Sequence, residues 1–535
     1  MSFDLSHLAG KELVWLLDLT FAGQVFRLSR DFTVYTDEDG ESSQYHPGLE
    51  WGGTLEDQID LLSDAPSPNQ VALTLHLGTL IDVPEAVAAG HDLAASTGKL
   101  YLWARGTTER LLLVDGRTLD PQYGAKEEPV TLTLEEAPFD DLALIPDPLA
   151  KVDSTTWPNA AEGVEDEFYP IIIGQPGATS PKAYGSPALA VNHSSPNFWF
   201  VIAGHPLTGS GTVSWFNETQ QLSGTDTPAT VSDGRGRDVA QINVNHGSVD
   251  IEDEWWVIWS SSDVTGLADH DGTAIRGAGS LLRWMLEQTS VRWDRGRIAA
   301  IVEPLNLFQI DCAIVPAPGR RFSPLDWVHE HLLPILPISA RQGEHGLYYS
   351  LFRYDATATD AITEINVDRL DASRDGAVVY SAADQIANEI RLSYRSNAKE
   401  NKPSAVYVLT GDDSTLAGDD AAVSNAPCRV SRTRFGLRTL EAKTEVIYDS
   451  STAGRICSWL SHAYALPSRT FAYTARQDFG YLEPGDVVTL TDSEIHLSQL
   501  VCLVDSVTWT EDGSVGLVLR AIDNPARETF TESTG

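Results

Sequence analysis

The sequence predicts a mainly β protein with minor α, an α+β chain organised as several small barrels or sandwiches. Short runs rich in β-branched and aromatic residues recur along its whole length, many of them alternating apolar with polar residues at period two. Gly, Pro, Asn and Asp punctuate these runs, and only a few segments carry helical spacing. At ~100–200 residues per domain, 535 residues leave room for several globular units.

Residues 1–150 read as the first barrel. Candidate strands are Leu13 to Leu19, Gln24 to Leu28, Val71 to Leu77, Leu100 to Arg105, Arg110 to Val114 and Val130 to Leu134. Val71, Leu73 and Leu75 share one face, with Ala72, Thr74 and His76 opposite; Val130, Leu132 and Leu134 likewise oppose Thr131 and Thr133. Asp37 to Gly40 and Asp115-Gly116 supply turns, and Pro84 to Ala95 carries a helix pattern.

The loop-like stretch PDPLAKVDSTTWPNAAEG (Pro146 to Gly163) marks a boundary, and residues 151–275 read as an all-β module. Its strands are YPIIIGQPG, FWFVIAGHP, GTVSWF and VDIEDEWWVIWSS, and the long polar stretch Gln220 to Arg237 suggests projecting loops. Residues 276–400 form a mixed α/β segment. One helix opens near Gly279-Ser280, with Leu281, Trp284, Met285 and Gln288 on a common face. Another starts at Ser323-Pro324-Leu325-Asp326, where Ser can cap, Pro sits at the first helical position and Asp meets the positive helix end; it runs to about Leu333. Residues 401–535 read as a second barrel-like domain with one helix, capped by Ser450 or Ser451 and ending at Leu466-Pro467, and a C-terminal hairpin turning at Glu511-Asp512-Gly513. Residues 525–535 read as frayed.

Acidic residues outnumber basic ones 76 to 37, a formal charge of −39. Such a surface repels phosphate and anionic lipid, which excludes electrostatic gripping of nucleic acid or membrane. No apolar run approaches the roughly 18–20 residues of a membrane helix, and the N-terminus lacks a basic region followed by a clean apolar one, so the chain is expected to start as a cytoplasmic product. Cys312, Cys428, Cys457 and Cys502 form no CxxC pair and read as small core residues.

Candidate chemistry is thin. His329-Glu330-His331 tempts as a metal site, but on a helix residues two apart point about 200° from one another and cannot chelate one ion. Glu252, Asp253 and Glu254 precede Trp255, Trp256 and Trp259, the ingredients of a sugar-binding or glycosidase cleft, yet no second carboxylate is placed opposite. Asp269-His270-Asp271 lies in a turn-forming loop, and Asp37 to Gly40 lacks the twelve-residue calcium frame. There is no GxSxG elbow, with Gly277 to Ser280 wrongly spaced; Gly209-Ser-Gly211 lacks a third glycine, no P-loop exists, and Arg320-Arg321 and Arg235-Gly-Arg237 are isolated pairs. The sequence therefore assigns no catalytic, cofactor-binding or metal-binding residue.

Three phrases resemble the hub proteins of bacteriophage and gene-transfer-agent tail tips. They are YPIIIGQPG (Tyr169 to Gly177) with VIAGHPL (Val201 to Leu207); SPLDWVHEHLLPILPISARQGEHGLYYSLF (Ser323 to Phe352); and YLEPGDVVTLTD (Tyr481 to Asp492) with the final VGLVLRAID. The resemblance implies a baseplate hub without enzymatic activity or cofactor. Its first barrel would be similar to a tail-tube subunit, and each chain would supply two such barrels, so that a homotrimer presents a pseudo-sixfold ring to the tube. It also implies partners: tail-tube and distal-tail proteins, fibre or spike proteins, and genomic DNA passing through the lumen without specific binding. Membrane association would not be stable, and the location would be the virion tail tip, after synthesis in the host cytoplasm. An acidic lumen would repel passing DNA, although acidity equally serves solubility. A rival expectation is a carbohydrate-binding or glycoside-active β protein using the Glu252, Trp255 and Trp256 region.

Overall fold

The computed structural model describes residues 12–522 except 51–53, 59–69, 95, 137–141, 180–181, 193–197, 220–221, 246–248, 251–252, 260–262, 344–345, 382–384, 401, 412–420 and 511–513. The architecture is mainly β with minor α. The described helices are α1 (Val83–Ala88), α2 (Ala278–Gln288), α3 (Arg295–Leu305), α4 (Pro324–His331), α5 (Ala426–Phe435) and α6 (Ser450–Tyr464).

The first strands assemble into a nine-stranded sheet drawn wholly from Leu13 to Glu136. Leu13–Phe21 lies near its middle, antiparallel to Gln24–Ser29 on one side and Thr97–Ala104 on the other. The hairpin partners Thr33–Thr36 and Ser42–Pro47 extend it to one edge. Asp37 to Gly40 is the predicted turn: the Gly40 amide donates to the Asp37 carbonyl at 3.1 Å with Gly40 at φ +81°. Asp115-Gly116 is not a turn. Strand Arg110–Gln122 runs straight through it, and Gly116 is needed because a Cβ there would collide with the Glu135 backbone of the neighbouring strand.

Residues 186–258 give a seven-stranded antiparallel sheet. Gln220 to Arg237, expected to project as loops, instead contains Ser223–Asp226 and Ala229–Ser232, which form the two opposite edges of that sheet. Edge strands with a solvated face need no apolar alternation, which is why their sequence reads as loop.

A four-stranded mixed sheet (Glu389–Asn397, Lys402–Thr410, Ala421–Ser424, Thr439–Lys443) carries α6 packed on its two central strands. The caps are legible: Ser323 Oγ accepts from the Asp326 amide at 3.1 Å, as predicted. For α6 the cap is Asp449, whose Oδ2 accepts from the Thr452 amide at 2.8 Å, so Ser450 is already helical. The N-terminal helix is shorter than the sequence suggests, stopping at Ala88 ahead of Gly90 at φ +97°.

The last sheet has eight strands and gathers distant sequence. Thr363–Asn366, Ala372–Arg374 and Val379–Tyr380 join Arg469–Ala475, Val487–Asp492, Leu497–Thr510 and Val515–Ala521. The eighth strand, Thr54–Gln58, comes from within the N-terminal unit and pairs antiparallel with Ser506 to Thr510. Side chains alternate between two cores. Val488, Leu490, Cys502 and Val504 face a core shared with the N-terminal sheet, where they join Trp15, Leu17, Leu73 and Leu102. Val487, Val501 and Leu503 face the other way, into a core built with α2, α4, α6 and the four-stranded sheet. Trp509, 4% exposed, sits opposite Leu55 in the incoming strand, and Gly480 leaves room for its ring.

This arrangement couples the two ends of the chain. Trp509→Ala is expected to cost about 3–5 kcal/mol and to raise hydrogen exchange in Gln70–Leu75 as well as in Val515–Ala521. Faster exchange confined to the C-terminal strands would show the two sheets to be energetically separate.

Candidate functional site

The residues singled out by sequence do not converge on one centre. His329, Glu330 and His331 lie on α4, so the two imidazoles diverge as helical geometry requires. His329 is buried with its Nε2 3.2 Å from Tyr349 Oη, and burial pushes its pKa down to about 4. His331 stacks near Trp327 at 4.9 Å between ring centres, and burial lowers its pKa against the pull of Glu330 and Glu445. Both imidazoles are therefore neutral at pH 7.

The strand Trp255–Ile258 splits the indoles between its faces. Trp255 and Trp259 enter the core of the seven-stranded module, Trp255 against Phe200 and Trp215, and Trp259 with its Nε1 donating to Ser186 Oγ at 3.0 Å. Trp256 alone points to the opposite side, edge-on to Tyr184 at 5.7 Å. No common stacking platform results. Glu252 lies outside the described residues, and Asp253 accepts from Asn217 Nδ2 at 3.3 Å. Asp269 to Asp271 is a turn, with Asp269 Oδ1 accepting from the Asp271 and Thr273 amides. The four cysteines are buried free thiols, and among the described residues no group of three or more His, Cys, Asp or Glu is placed to hold a metal.

What the fold does bring together is a half-open cleft of about 410 Å³. Its floor is the strand Cys312–Ile314, paired with Ile171–Ile173. Trp256 contributes from the seven-stranded module, Trp327, Glu330 and His331 from α4, and Glu445 and Tyr448 from the segment leading into α6. Just behind it, buried Asp311 accepts from the Gln175 amide at 2.7 Å and lies 3.5 Å from Arg276 Nη2; burial raises its pKa. The two halves of the first quoted phrase, Tyr169 to Gly177 and Val201 to Leu207, are joined by a hydrogen bond. His205 Nε2 accepts from the Ile172 amide at 3.0 Å while Nδ1 donates to the Pro206 carbonyl, which fixes the neutral tautomer, and burial lowers its pKa.

A second junction joins α3 to the last sheet. Arg297 forks onto the Glu483 carboxylate, Nη2 to Oε1 at 2.8 Å and Nη1 to Oε2. Tyr348 Oη donates to Glu483 Oε2 at 2.9 Å while the guanidinium lies 4.1 Å over the Tyr348 ring. Glu483-Pro484-Gly485-Asp486 is a turn with Pro second and Gly485 at φ +101°, closed by the Asp486 amide donating to the Glu483 carbonyl. Asp486 Oδ2 accepts in return from the Glu483 amide at 2.8 Å, and burial pushes its carboxyl up to about 7, helped by the Glu483 charge and opposed by Arg297. Sequence reasoning quoted Tyr348 and Glu483 within phrases but did not find their partner Arg297, whose helix announces itself only through the Asp294 cap.

Residues 330–507 match the family described as "Putative phage tail protein". Over that segment the chain is similar to a phage tail protein family. The matched stretch begins on α4 and closes in the long strand Leu497–Thr510, so it holds Glu330, His331 and Glu445 of the cleft and Tyr348, Glu483 and Asp486 of the junction. Among solved structures, a tail protein from Neisseria meningitidis MC58 is similar at 8% identity, covering 95% of this chain and 96% of that one with a TM-score of 0.37. The 43 kDa tail protein of prophage MuSo2 from Shewanella oneidensis is similar at 9% identity, over 96% and 99% of the two chains, with a TM-score of 0.38. A chain from a native gene transfer agent virion particle is similar at 13% identity, over 48% and 82%, with a TM-score of 0.20. No curated protein matches this chain. No described helix is long and apolar enough to cross a membrane.

The raised carboxyl of Asp486 makes the protein's stability depend on pH in a defined direction. Folded, Asp486 keeps its proton up to about pH 7; unfolded, it loses it near the ordinary Asp value of about 3.9. Between those values the folded state binds the extra proton, so this group's contribution is full at acid pH and is lost as pH rises through 7. Asp486→Asn keeps an acceptor for the Glu483 amide. It is expected to flatten the pH 4–7 slope of urea midpoints and to be more stable than the parent at pH 8; an unchanged slope would refute the assignment.

Proposed function

We propose that this protein is a phage tail protein, a non-enzymatic hub at the distal end of the tail, acting as a trimer that joins the tail tube to baseplate, fibre or spike proteins and surrounds the DNA exit path. The observation that carries the reading is the pairing of two large β units in one chain. The nine-stranded sheet of Leu13 to Glu136 and the eight-stranded sheet, seven of whose strands come from residues 363–521, close on one core, and the eighth strand, Thr54–Gln58, comes from the N-terminal part of the chain. Two β units locked in this way move as a pair, so three chains would offer six, the number a hexameric tube end requires.

Two further features support assembly. Thr33–Thr36 is an edge strand, and Phe32, Val34 and nearby Val25 are about half exposed, an apolar edge of the kind that proteins pair or cover. The charge of −39 suits a wall that DNA slides past, since it offers phosphate few cationic contacts.

Light scattering of the purified chain, alone and with tail-tube protein, tests this. The expected mass is that of three chains, or of three chains bound to the tube end. Phe32→Asp combined with Val34→Asp is expected to weaken that association at least tenfold while leaving the melting temperature nearly unchanged. A monodisperse monomer that also ignores tube protein would refute the hub.

A further inference from the structure

The cleft between the seven-stranded module, α4 and the segment before α6 has no role in the assembly described above, yet its wall is chemically one-sided. Glu330 and Glu445 contribute two carboxylates, and no Lys or Arg is among the described residues that line it. The cations nearby are engaged at its edges. Lys443 Nζ pairs with Glu445 at 2.8 Å on the solvent side, Arg395 Nε donates to the Tyr448 carbonyl at 2.8 Å, and Arg276 lies 3.5 Å from Asp311 behind the floor. His331, held neutral by burial, adds no competing charge. The remaining wall is aromatic and aliphatic, with Trp256, Trp327, Phe322 and Tyr448 around the floor strand.

We infer that this cleft receives an arginine side chain presented by a partner protein. A guanidinium meets each demand of the wall at once. Its flat face stacks on an indole, where the ring quadrupole attracts it, and its fork of N–H donors matches a carboxylate bidentately. A lysine ammonium satisfies the charge but neither the stacking nor the fork. A neutral sugar would stack on the indoles and leave the two carboxylates without a counter-charge. The volume of about 410 Å³ admits the side chain together with part of a flanking residue, which favours an arginine on a peptide over a free small cation. Glu445 exchanges its Lys443 partner for the incoming group, a swap between exposed pairs that costs little. Since Glu330 and Glu445 are 78% and 41% exposed at the side chain, the affinity for a short peptide lies in the roughly 0.1–1 mM range. The cleft is formed within one chain, so the inference stands or falls apart from the threefold assembly.

The test uses the full chain with its indole nitrogens labelled for NMR, the Trp256 and Trp327 signals being assigned with Trp256→Phe and Trp327→Phe. The probe is acetyl-Gly-Arg-Gly-amide, with peptides carrying lysine or citrulline in place of arginine and an N-acetylglucosamine trisaccharide alongside. Saturable shifts of those two indoles by the arginine peptide are expected, with at least tenfold weaker binding of the neutral citrulline peptide. Glu330→Gln combined with Glu445→Gln is expected to raise the Kd at least fivefold at an unchanged melting temperature; should the double variant melt lower, Glu330→Gln alone, at a largely exposed position, is read instead. Absence of any shift at millimolar peptide, equal binding of arginine and citrulline peptides, or a response to the trisaccharide alone would each overturn the inference.

Discussion

The structure depends on the burial of the C-terminal sheet on both faces. Because strand side chains alternate at period two, Val487 and Val488 look into different cores, as do Cys502 and Leu503. One face completes the interior of the N-terminal sheet; the other closes the helical body formed by α2, α4 and α6. The sheet is thus a shared wall, and neither neighbour has a complete core without it. A slip of one residue in its register would turn each set of side chains toward the wrong core, so the pairing is specified from both sides at once. Thr54–Gln58 strengthens the tie by giving backbone hydrogen bonds between two parts of the chain separated by some four hundred and fifty residues.

Around that wall the polar residues secure junctions. Arg297, Tyr348 and Glu483 fasten α3 and the strand Gly346–Leu351 to the turn that begins Val487–Asp492. The bidentate geometry and the ring beneath the guanidinium make this stronger than an ordinary surface pair. The cleft has a different character: Glu330 is largely solvated and Glu445 partly so, while of its aromatic residues Trp256 and Phe322 are half-buried and Trp327 and Tyr448 buried. The two sites thus differ in kind, one a joint closed on its own partners and the other a cleft open to solvent.

The sequence shows the elements of the fold unevenly, and the failures have causes. Strands with one solvated face, such as Gln70–Leu75 and Val130–Glu136, announce themselves by strict alternation, and α4 by its Ser-Pro-Leu-Asp start. Helices α3 and α5 were missed because they present short apolar stripes, Ile298 and Leu305 in one and Cys428 in the other, leaving only the caps Asp294 and Asn425 as signals. Asp115-Gly116 mimicked a turn because close approach of a neighbouring strand and a reversal of chain direction both call for glycine. The Trp255, Trp256 and Trp259 cluster carries the ingredients of a platform, but the strand's alternation sends two of the indoles inward.

By itself, then, the sequence determined what local physics encodes: a mainly β chain, the start of α4 and most of its strands, an acidic surface, and a helix on which His329 and His331 cannot act together. Tertiary structure alone decided that Thr54–Gln58 leaves its neighbours for a distant sheet, that one sheet serves two cores, and that Trp256, Glu330 and Glu445 border a common cleft. Those outcomes rest on pairings between residues hundreds of positions apart. No periodicity, cap or turn within a short window carries information about which remote surface will cover a given face, because that choice is made by the fit of whole faces to one another.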